Sequence, residues 1–280
     1  MANSAPQIQY RQEYVDTFEQ RESKFRMACT KETVLKGNSA IFAVVGSGDR
    51  KAVTRGLNGL IPATENSFTQ STATLKEYHD LPQMTGFNVF QTQGDARRKL
   101  IMESVGSLNR TADDLIITAL SAATNDTGTA QLANVNMFAR AAAILGNNNV
   151  DMDDENNLFC SVSPAAMGRL IQLTEFSSAD FVDVKPFASG ATYRMRRWMG
   201  INFFVSSRLS GNGTNAEKLL MWHRNAIGCA VDKDSINPVP GYNEEQDYHW
   251  VRASAYMGVV LLQNSGVVVL NHDGSTMAAE

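Results

Sequence analysis

The sequence predicts an α+β fold in which short strands surround one long helix. Apolar residues from Ile101 to Leu120 recur at alternating spacings of four and three, which is typical of an amphipathic helix. Short β-branched runs, such as residues 158–162 and 267–270, are typical of strands. Turn signals such as residues 211–213 separate these elements, so helices and strands are mixed along the chain.

Composition indicates a globular chain without a strong charge bias. Hydrophobic residues make up 43% and charged residues 19% of the 280 residues, and the net charge is -4. The acidic run at residues 151–155 supplies four negative charges, so the remainder is balanced. Proteins that bind nucleic acid by counterion release normally carry a basic stripe, which this composition does not indicate.

The sequence predicts neither a secretory signal nor a membrane span. Its amino terminus lacks a charged start followed by an apolar stretch, and its longest apolar runs are far shorter than the ~20 residues of a membrane helix. Cys29, Cys160 and Cys229 are odd in number and widely spaced, which favours free thiols in a reducing compartment. We expect a soluble protein that is made in a cytoplasm.

The first third of the chain predicts an arm and then an extended hairpin. Residues 1–36 form an amphipathic arm whose apolar stripe must dock on its own subunit or on another one. Residues 40–45 predict a buried strand, residues 46–73 a long Gly-, Ser-, Thr- and Asn-rich excursion, and residues 71–78 a second strand. This order predicts a β-hairpin that reaches away from the body and whose edges a partner must cover.

One helix of nearly thirty residues follows the hairpin. It runs from a start signal at residues 94–95 to a turn at residues 123–128, and it would be roughly 40 Å long. Gly106 in its middle would permit bending. The helix dipole disfavours cations in the first turn, so three residues there predict an acidic partner: Arg97, Arg98 and Lys99.

Shorter elements complete the predicted fold. A second helix covers residues 134–145, and a third begins with Ser163 as N-cap and Pro164 at its first position. The remaining predicted strands are residues 158–162, 201–205, 219–222, 248–257, 259–262 and 267–270.

No residue pattern predicts catalysis, a cofactor or a metal. Residues 46–51 resemble a phosphate loop in composition only, and residues 151–156 lack the glycine of a calcium loop. The four histidines are far apart and are not spaced with cysteines as metal ligands. Asp113 and Asp114 diverge by ~100° on a helix and cannot share a proton, so one of them is expected to pair with a basic residue.

Several segments resemble the major capsid proteins of tailed bacteriophages. Residues 76–84 leading into residues 108–120 are similar to the strand, turn and spine helix of that family. Residues 159–164 look like its strand followed by Ser-Pro and a helix. Residues 226–231 and 251–270 are similar to later strands of that fold. Across residues 40–272, the order of the pieces resembles the Hong Kong 97-type capsid fold.

The resemblance implies a domain organisation. It places an N-terminal arm and first strand at residues 1–45 and an extended β-hairpin (E-loop) at residues 46–73. A peripheral domain with the spine helix would cover residues 74–130, and an axial domain residues 131–245. Residues 246–280 would return as strands to the peripheral domain.

The resemblance also implies a structural role in a virion. The chain would self-assemble into the pentamers and hexamers of an icosahedral head around double-stranded DNA, without catalysis and without a cofactor. Its implied partners are other copies of itself, scaffolding, portal and decoration proteins, and packaged DNA through loose electrostatic contact, with no membrane. It would be made in the cytoplasm of a bacterial host and end in the capsid.

Charged residues of the hairpin, of the helix start and of the densest basic cluster are the candidate contacts between subunits: Asp49, Arg50, Lys51, Arg55, Arg97, Arg98, Arg194, Arg196 and Arg197. Some relatives cross-link subunits through a hairpin lysine and a distant asparagine. Lys51 lies in this hairpin, but the sequence identifies no acceptor for it.

Three alternatives stay open at this stage. The same fold also forms bacterial nanocompartments that store enzymes, which neighbouring genes would distinguish. A small-molecule enzyme could use residues 46–73 as a lid, and it would be a monomer with a defined pocket. A nucleic-acid-binding module would need a basic face and a salt-dependent affinity.

Overall fold

The computed structural model describes residues 19–34, 37–46, 51–61, 67–87, 96–154, 156–174, 196–232 and 236–275. The chain divides into two compact units. The first unit comprises the described parts of residues 1–23, 77–112 and 234–256, and the second those of residues 24–76, 113–233 and 257–280. Both units contain helix and strand, so the predicted α+β class is confirmed.

The three predicted helices are present. They are α1 (Ala96–Ser121), α2 (Val135–Asn147) and α3 (Pro164–Gln172). The side chain of Asn134 accepts the backbone N–H of Met137 at the start of α2, and Ser163 accepts that of Ala166 at the start of α3. These caps satisfy N–H groups that have no partner within the helix, which is why the helices begin there. No helix of the described ranges is long and apolar enough to cross a membrane.

The described residues also form thirteen strands. In chain order they are β1 (Thr30–Val34), β2 (Ser39–Gly46), β3 (Ser67–Thr74), β4 (Lys76–Asp80), β5 (Gln83–Thr85), β6 (Leu158–Val162), β7 (Arg196–Trp198), β8 (Ile201–Val205), β9 (Glu217–His223), β10 (Ile227–Asp232), β11 (Asn237–Asn243), β12 (Tyr248–Leu261) and β13 (Val267–His272).

The second unit is built on a five-stranded sheet with the order β13-β9-β6-β8-β7. Strand β6 has all five residues buried, and so does β8, its parallel neighbour. Phe25 and Trp222 stack with ring centroids 5.8 Å apart in the core, and the Trp222 indole N–H donates to the Ala28 carbonyl at 2.8 Å. In the same unit, β1 pairs with β10 in parallel, and β10 pairs with residues 257–261 of β12.

The first unit places the amino-terminal half of β12 between β11 and β5. Burial alternates along this half, with Val251 and Ala253 buried and Arg252 exposed. Residues 20–21 lie against α1, where a Cβ on Gly106 would come within 3.5 Å of Cα of Arg21. Helix α1 continues through Gly106, so this glycine makes room for the neighbouring segment.

Three sequence predictions need correction. The predicted strands at residues 248–257 and 259–262 form one strand, β12, which continues through Gly258. Strand β2 is not fully buried, since its burial alternates. The segment assigned to the arm contains β1 and also contributes Phe25 to the core, where this side chain is fully buried.

Candidate assembly interface

A two-stranded hairpin stem presents one exposed apolar face. Strands β2 and β3 pair antiparallel from Ser39↔Thr74 to Gly46↔Ser67. Val45 is paired with Phe68, and paired residues point to the same face of a hairpin. Ile41, Val45 and Phe68 are 61%, 61% and 69% exposed on that face. The predicted hairpin is therefore present, but its second strand is Ser67–Thr74 and not residues 71–78. Lys76–Asp80 forms the separate strand β4.

The described part of the hairpin tip, residues 51–61, is exposed throughout. It contains a turn in which the N–H of Gly56 donates to the Leu60 carbonyl at 3.0 Å and Gly59 adopts a positive φ of 72°. Four apolar side chains of the tip are exposed to solvent: Val53, Leu57, Leu60 and Ile61. Leu57 and Leu60 are the most exposed of the four.

This hairpin concentrates the exposed apolar surface of the chain. Among the described residues it carries seven of the fifteen exposed large apolar side chains. Burying such a side chain stabilises a protein by roughly 1.5–3 kcal/mol, and several exposed apolar side chains on one element are typical of an interaction site. The sequence prediction selected charged residues of the hairpin and missed these apolar ones, although apolar residues in an otherwise polar loop were a usable signal.

The predicted contact residues divide into described and undescribed ones. Lys51 and Arg55 are exposed in the tip, beside its apolar side chains. Asp49, Arg50 and Arg194 lie outside the described residues, as do the side chains of Arg97 and Arg196. Arg98 is exposed in the first turn of α1. The guanidinium of Arg197 donates to Asn202 at 3.3 Å and to Asn156 at 3.2 Å.

Two adjacent aspartates anchor the carboxyl-terminal part of α1. Asp114 forms an ion pair with Arg208, which confirms that one member of the pair meets a basic residue. Asp113 is fully buried and accepts the backbone N–H groups of Lys24 and Phe25 at 3.1 and 3.2 Å. No sequence pattern predicts this second role, because backbone donors carry no residue signature.

Several titratable groups of the second unit are buried. Burial raises the pKa of the Cys29 thiol and that of the Cys160 thiol far above the ordinary value of a cysteine, so both thiols stay protonated. All three cysteines are free, as predicted, and all three are buried. His272 and Glu217 form a buried pair at 2.7 Å across β13 and β9. Within the described ranges, no group of three or more His, Cys, Asp or Glu could hold a metal ion.

The predicted acidic turn is present as an exposed turn. Asp151 accepts the N–H of Asp153 at 3.0 Å, and Asp154 accepts that of Asn156 at 3.0 Å. These carboxylates are therefore engaged in local turn hydrogen bonds. In the first unit, a groove of about 260 Å³ lies beside Leu100, Tyr242 and Trp250. Its lining is mainly apolar and aromatic.

Comparison with known proteins supports a shell subunit. A sequence model of the family described as "Phage capsid protein" matches residues 2–274. No curated protein matches the chain. Among solved structures, a chain from Mycobacterium phage Che8 superposes with a TM-score of 0.76 at 17% identity, covering 97% of this chain and 98% of that chain.

Two further structures show the same fold. A capsid chain of the cyanophage P-SCSP1u gives a TM-score of 0.72 at 13% identity, covering 97% of this chain and 99% of that chain. A capsid chain of a native GTA particle gives a TM-score of 0.69 at 14% identity, covering 97% of this chain and 96% of that chain.

The fold is of the Hong Kong 97 type. The family match extends over nearly the whole chain. This chain therefore belongs to the phage capsid protein family, and it is a component of the virion capsid.

Proposed function

We propose that this chain is the coat subunit that assembles into the pentamers and hexamers of an icosahedral phage head enclosing double-stranded DNA. The observation that carries the proposal is the set of exposed apolar side chains on the hairpin, which includes Ile41 in the stem and Leu57 in the tip. Neighbouring copies of the same chain would cover these side chains. A closed shell supplies such neighbours to every subunit by symmetry.

The free energy of burying the exposed apolar side chains favours this role for the hairpin. Full burial of its seven exposed apolar side chains would contribute on the order of 10 kcal/mol per subunit before the costs of association. Association itself costs an estimated ~4–15 kcal/mol, so a single contact would be weak. A subunit that several neighbours hold at once gains avidity, and a stable shell can then form from weak individual contacts.

The charged candidates of the hairpin would act at the edge of the same interface. Lys51 and Arg55 flank the apolar tip and are exposed, so they would meet carboxylates or polar groups of a neighbour. Rim charges of this kind mainly affect association rate and salt dependence. Arg98 and Arg197 are exposed outside the hairpin and are proposed as further contacts between subunits. The undescribed candidates Asp49, Arg50, Arg97, Arg194 and Arg196 belong to the same proposal.

The further partners follow from the role of a phage head. A shell of this kind would be built with scaffolding, portal and decoration proteins and would hold DNA by loose electrostatic contact. The balanced charge of the chain outside residues 151–155 fits loose contact better than tight binding. Synthesis would take place in the cytoplasm of the bacterial host.

The test is assembly of the overexpressed chain with an altered tip. Leu57→Glu combined with Leu60→Glu removes the two most exposed apolar side chains and adds charge. Thr54→Glu is the matched control, since it adds charge at an exposed polar position of the same tip. We expect closed shells from the wild type and from Thr54→Glu in electron micrographs, and soluble, folded, unassembled subunits from the double variant. Normal shells from the double variant would refute the role of the hairpin.

A further inference from the structure

The hairpin is held to its own unit by a small cluster at its root. Ala40, Phe42 and Ala73 of the hairpin pack with Ala230 of β10 as a separate buried cluster. The N–H of Leu75 donates to the Asn38 carbonyl at 2.8 Å and closes the base of the hairpin. The described residues beyond Gly46, by contrast, are almost all exposed up to the return of β3.

Small residues of β10 and β12 form the surface beneath this root. Gly228 pairs with Val260, and Ala230 pairs with Gly258, so these four residues share one face of the sheet. A Cβ on Gly228 would lie only 2.9 Å from the ring carbons Cε2 and Cζ of Phe42. The Phe42 ring therefore lies in a notch that exists because residue 228 has no side chain.

A second close approach lies on the neighbouring strand. A Cβ on Gly258 would lie 2.5 Å from the carbonyl oxygen of Thr74, where the chain leaves β3. This neighbour is backbone, so it cannot yield by changing a rotamer. The two strands of the hairpin thus contact two different glycines. Strand β2 contacts Gly228, and the end of β3 contacts Gly258.

We propose that Gly228 and Gly258 are positioning residues that set the direction of the hairpin through this two-point contact. The contact acts within one chain, so the proposal holds whether or not shells form. Phe42 fixes one side of the root against Gly228, and the backbone at Thr74 fixes the other side against Gly258. The direction of the stem follows from these two contacts, because the described hairpin beyond them has few contacts of its own with the unit.

The expected displacement follows from the geometry. Carbon atoms in contact prefer about 3.5–4.0 Å, so a methyl group at residue 228 would push the Phe42 ring away by roughly 0.5–1 Å. Strands rise about 3.3 Å per residue, so Val45 lies nearly twice as far as Phe42 from the closing hydrogen bond at Asn38. A shift at Phe42 would therefore become about 1–2 Å at Val45.

The test is a distance measurement within one chain. Spin labels on Val45→Cys and Asn136→Cys report the stem and the exposed face of α2, and labelled chains are diluted with unlabelled ones. The native thiols are buried and should not take the label. We expect Gly228→Ala to shift the mean distance by about 1–2 Å or to broaden its distribution, and Phe42→Leu in the same chain to restore the wild-type distance.

Gly146→Ala is the matched control, because its Cβ would meet only the Met152 sulfur at an ordinary 3.7 Å. The proposal fails if Gly228→Ala leaves both mean and width unchanged, or if Gly146→Ala changes them equally. If Gly228→Ala does not fold, Phe42→Ala decides, since it removes the side chain from the notch. A broader distance distribution in Phe42→Ala supports the proposal, and an unchanged one overturns it.

Discussion

Arg208 donates from both Nε and Nη2 to the carboxylate of Asp114, and this pair joins helix α1 to the loop that follows β8. The pair is partly exposed, with 34% and 45% of the two side chains accessible. Its neighbour Asp113 is buried and holds the backbone at Lys24 and Phe25. Two adjacent acidic residues thus fix the carboxyl-terminal part of α1 to two different segments of the second unit, one at the surface and one in the interior.

Replacing these aspartates should have unequal effects on stability. Asp113→Ala leaves two backbone N–H groups without their acceptor in the interior, at a cost of about 2–4 kcal/mol. Asp114→Ala removes a partly exposed ion pair that is worth about 0.2–1 kcal/mol. Denaturant unfolding of the two variants measures both free energies. Equal losses would show that burial does not decide the strength of these contacts.

The hairpin tip should become protected when shells form. A Leu57→Cys variant places a thiol at the most exposed position of the tip. We expect rapid maleimide labelling of unassembled subunits and at least tenfold slower labelling of intact particles, since neighbouring copies would cover the tip. Thr118→Cys, on the exposed side of α1, gives a second rate for comparison. Equal labelling of Leu57→Cys in both states would contradict burial of the tip.

The native cysteines should be unreactive in the folded chain. Burial raises the pKa of the Cys29, Cys160 and Cys229 thiols, so little thiolate forms near neutral pH. Ellman's reagent at pH 8 should therefore titrate close to zero thiols in the native protein and three in denaturant. A thiol that reacts quickly in the folded state would show that its strand opens locally.

Acid should destabilise the second unit partly through His223. Burial lowers the pKa of this imidazole, and the nearby Asp151 and Asp154 only partly oppose that shift. The unfolded chain therefore binds a proton more readily, so stability falls as the pH drops below about 6.5, the ordinary value. The ring Nδ1 also accepts the N–H of Asn225 at 3.2 Å, which protonation would prevent.

His223→Asn keeps a hydrogen-bond acceptor but cannot titrate. We expect its free energy of unfolding to fall less between pH 7 and pH 5 than that of the wild type. Thermal or denaturant unfolding at several pH values measures the difference. A pH dependence identical in both proteins would assign the acid sensitivity to other groups.

Local sequence signals predicted much of the fold. Ser163-Pro164 fixed the start of α3, because an N-cap and a first-position proline act within a few residues. Strands β6 and β8 were predicted with their observed bounds, since their apolar runs are short and flanked by polar residues. Strand β1 was missed because its residues are mostly polar, and its pairing with the distant β10 holds it in place.

The remaining differences have physical causes as well. Gly258 suggested a break in β12, yet a glycine is required there by the close approach of the backbone at Thr74. The hairpin was predicted from its polar, glycine-rich composition, whereas the apolar residues Leu57 and Leu60 that define its surface were not. Contacts such as Phe42 on Gly228 join residues far apart in sequence, so no local pattern predicts them.

Electron cryomicroscopy of particles formed by the purified chain tests the assembly role of the hairpin most directly. We expect closed icosahedral shells in which the tip residues 51–61 of each subunit lie on a different copy, with Leu57 buried. A chain that stays monomeric at every concentration, or shells in which residues 51–61 pack only on their own subunit, would contradict it.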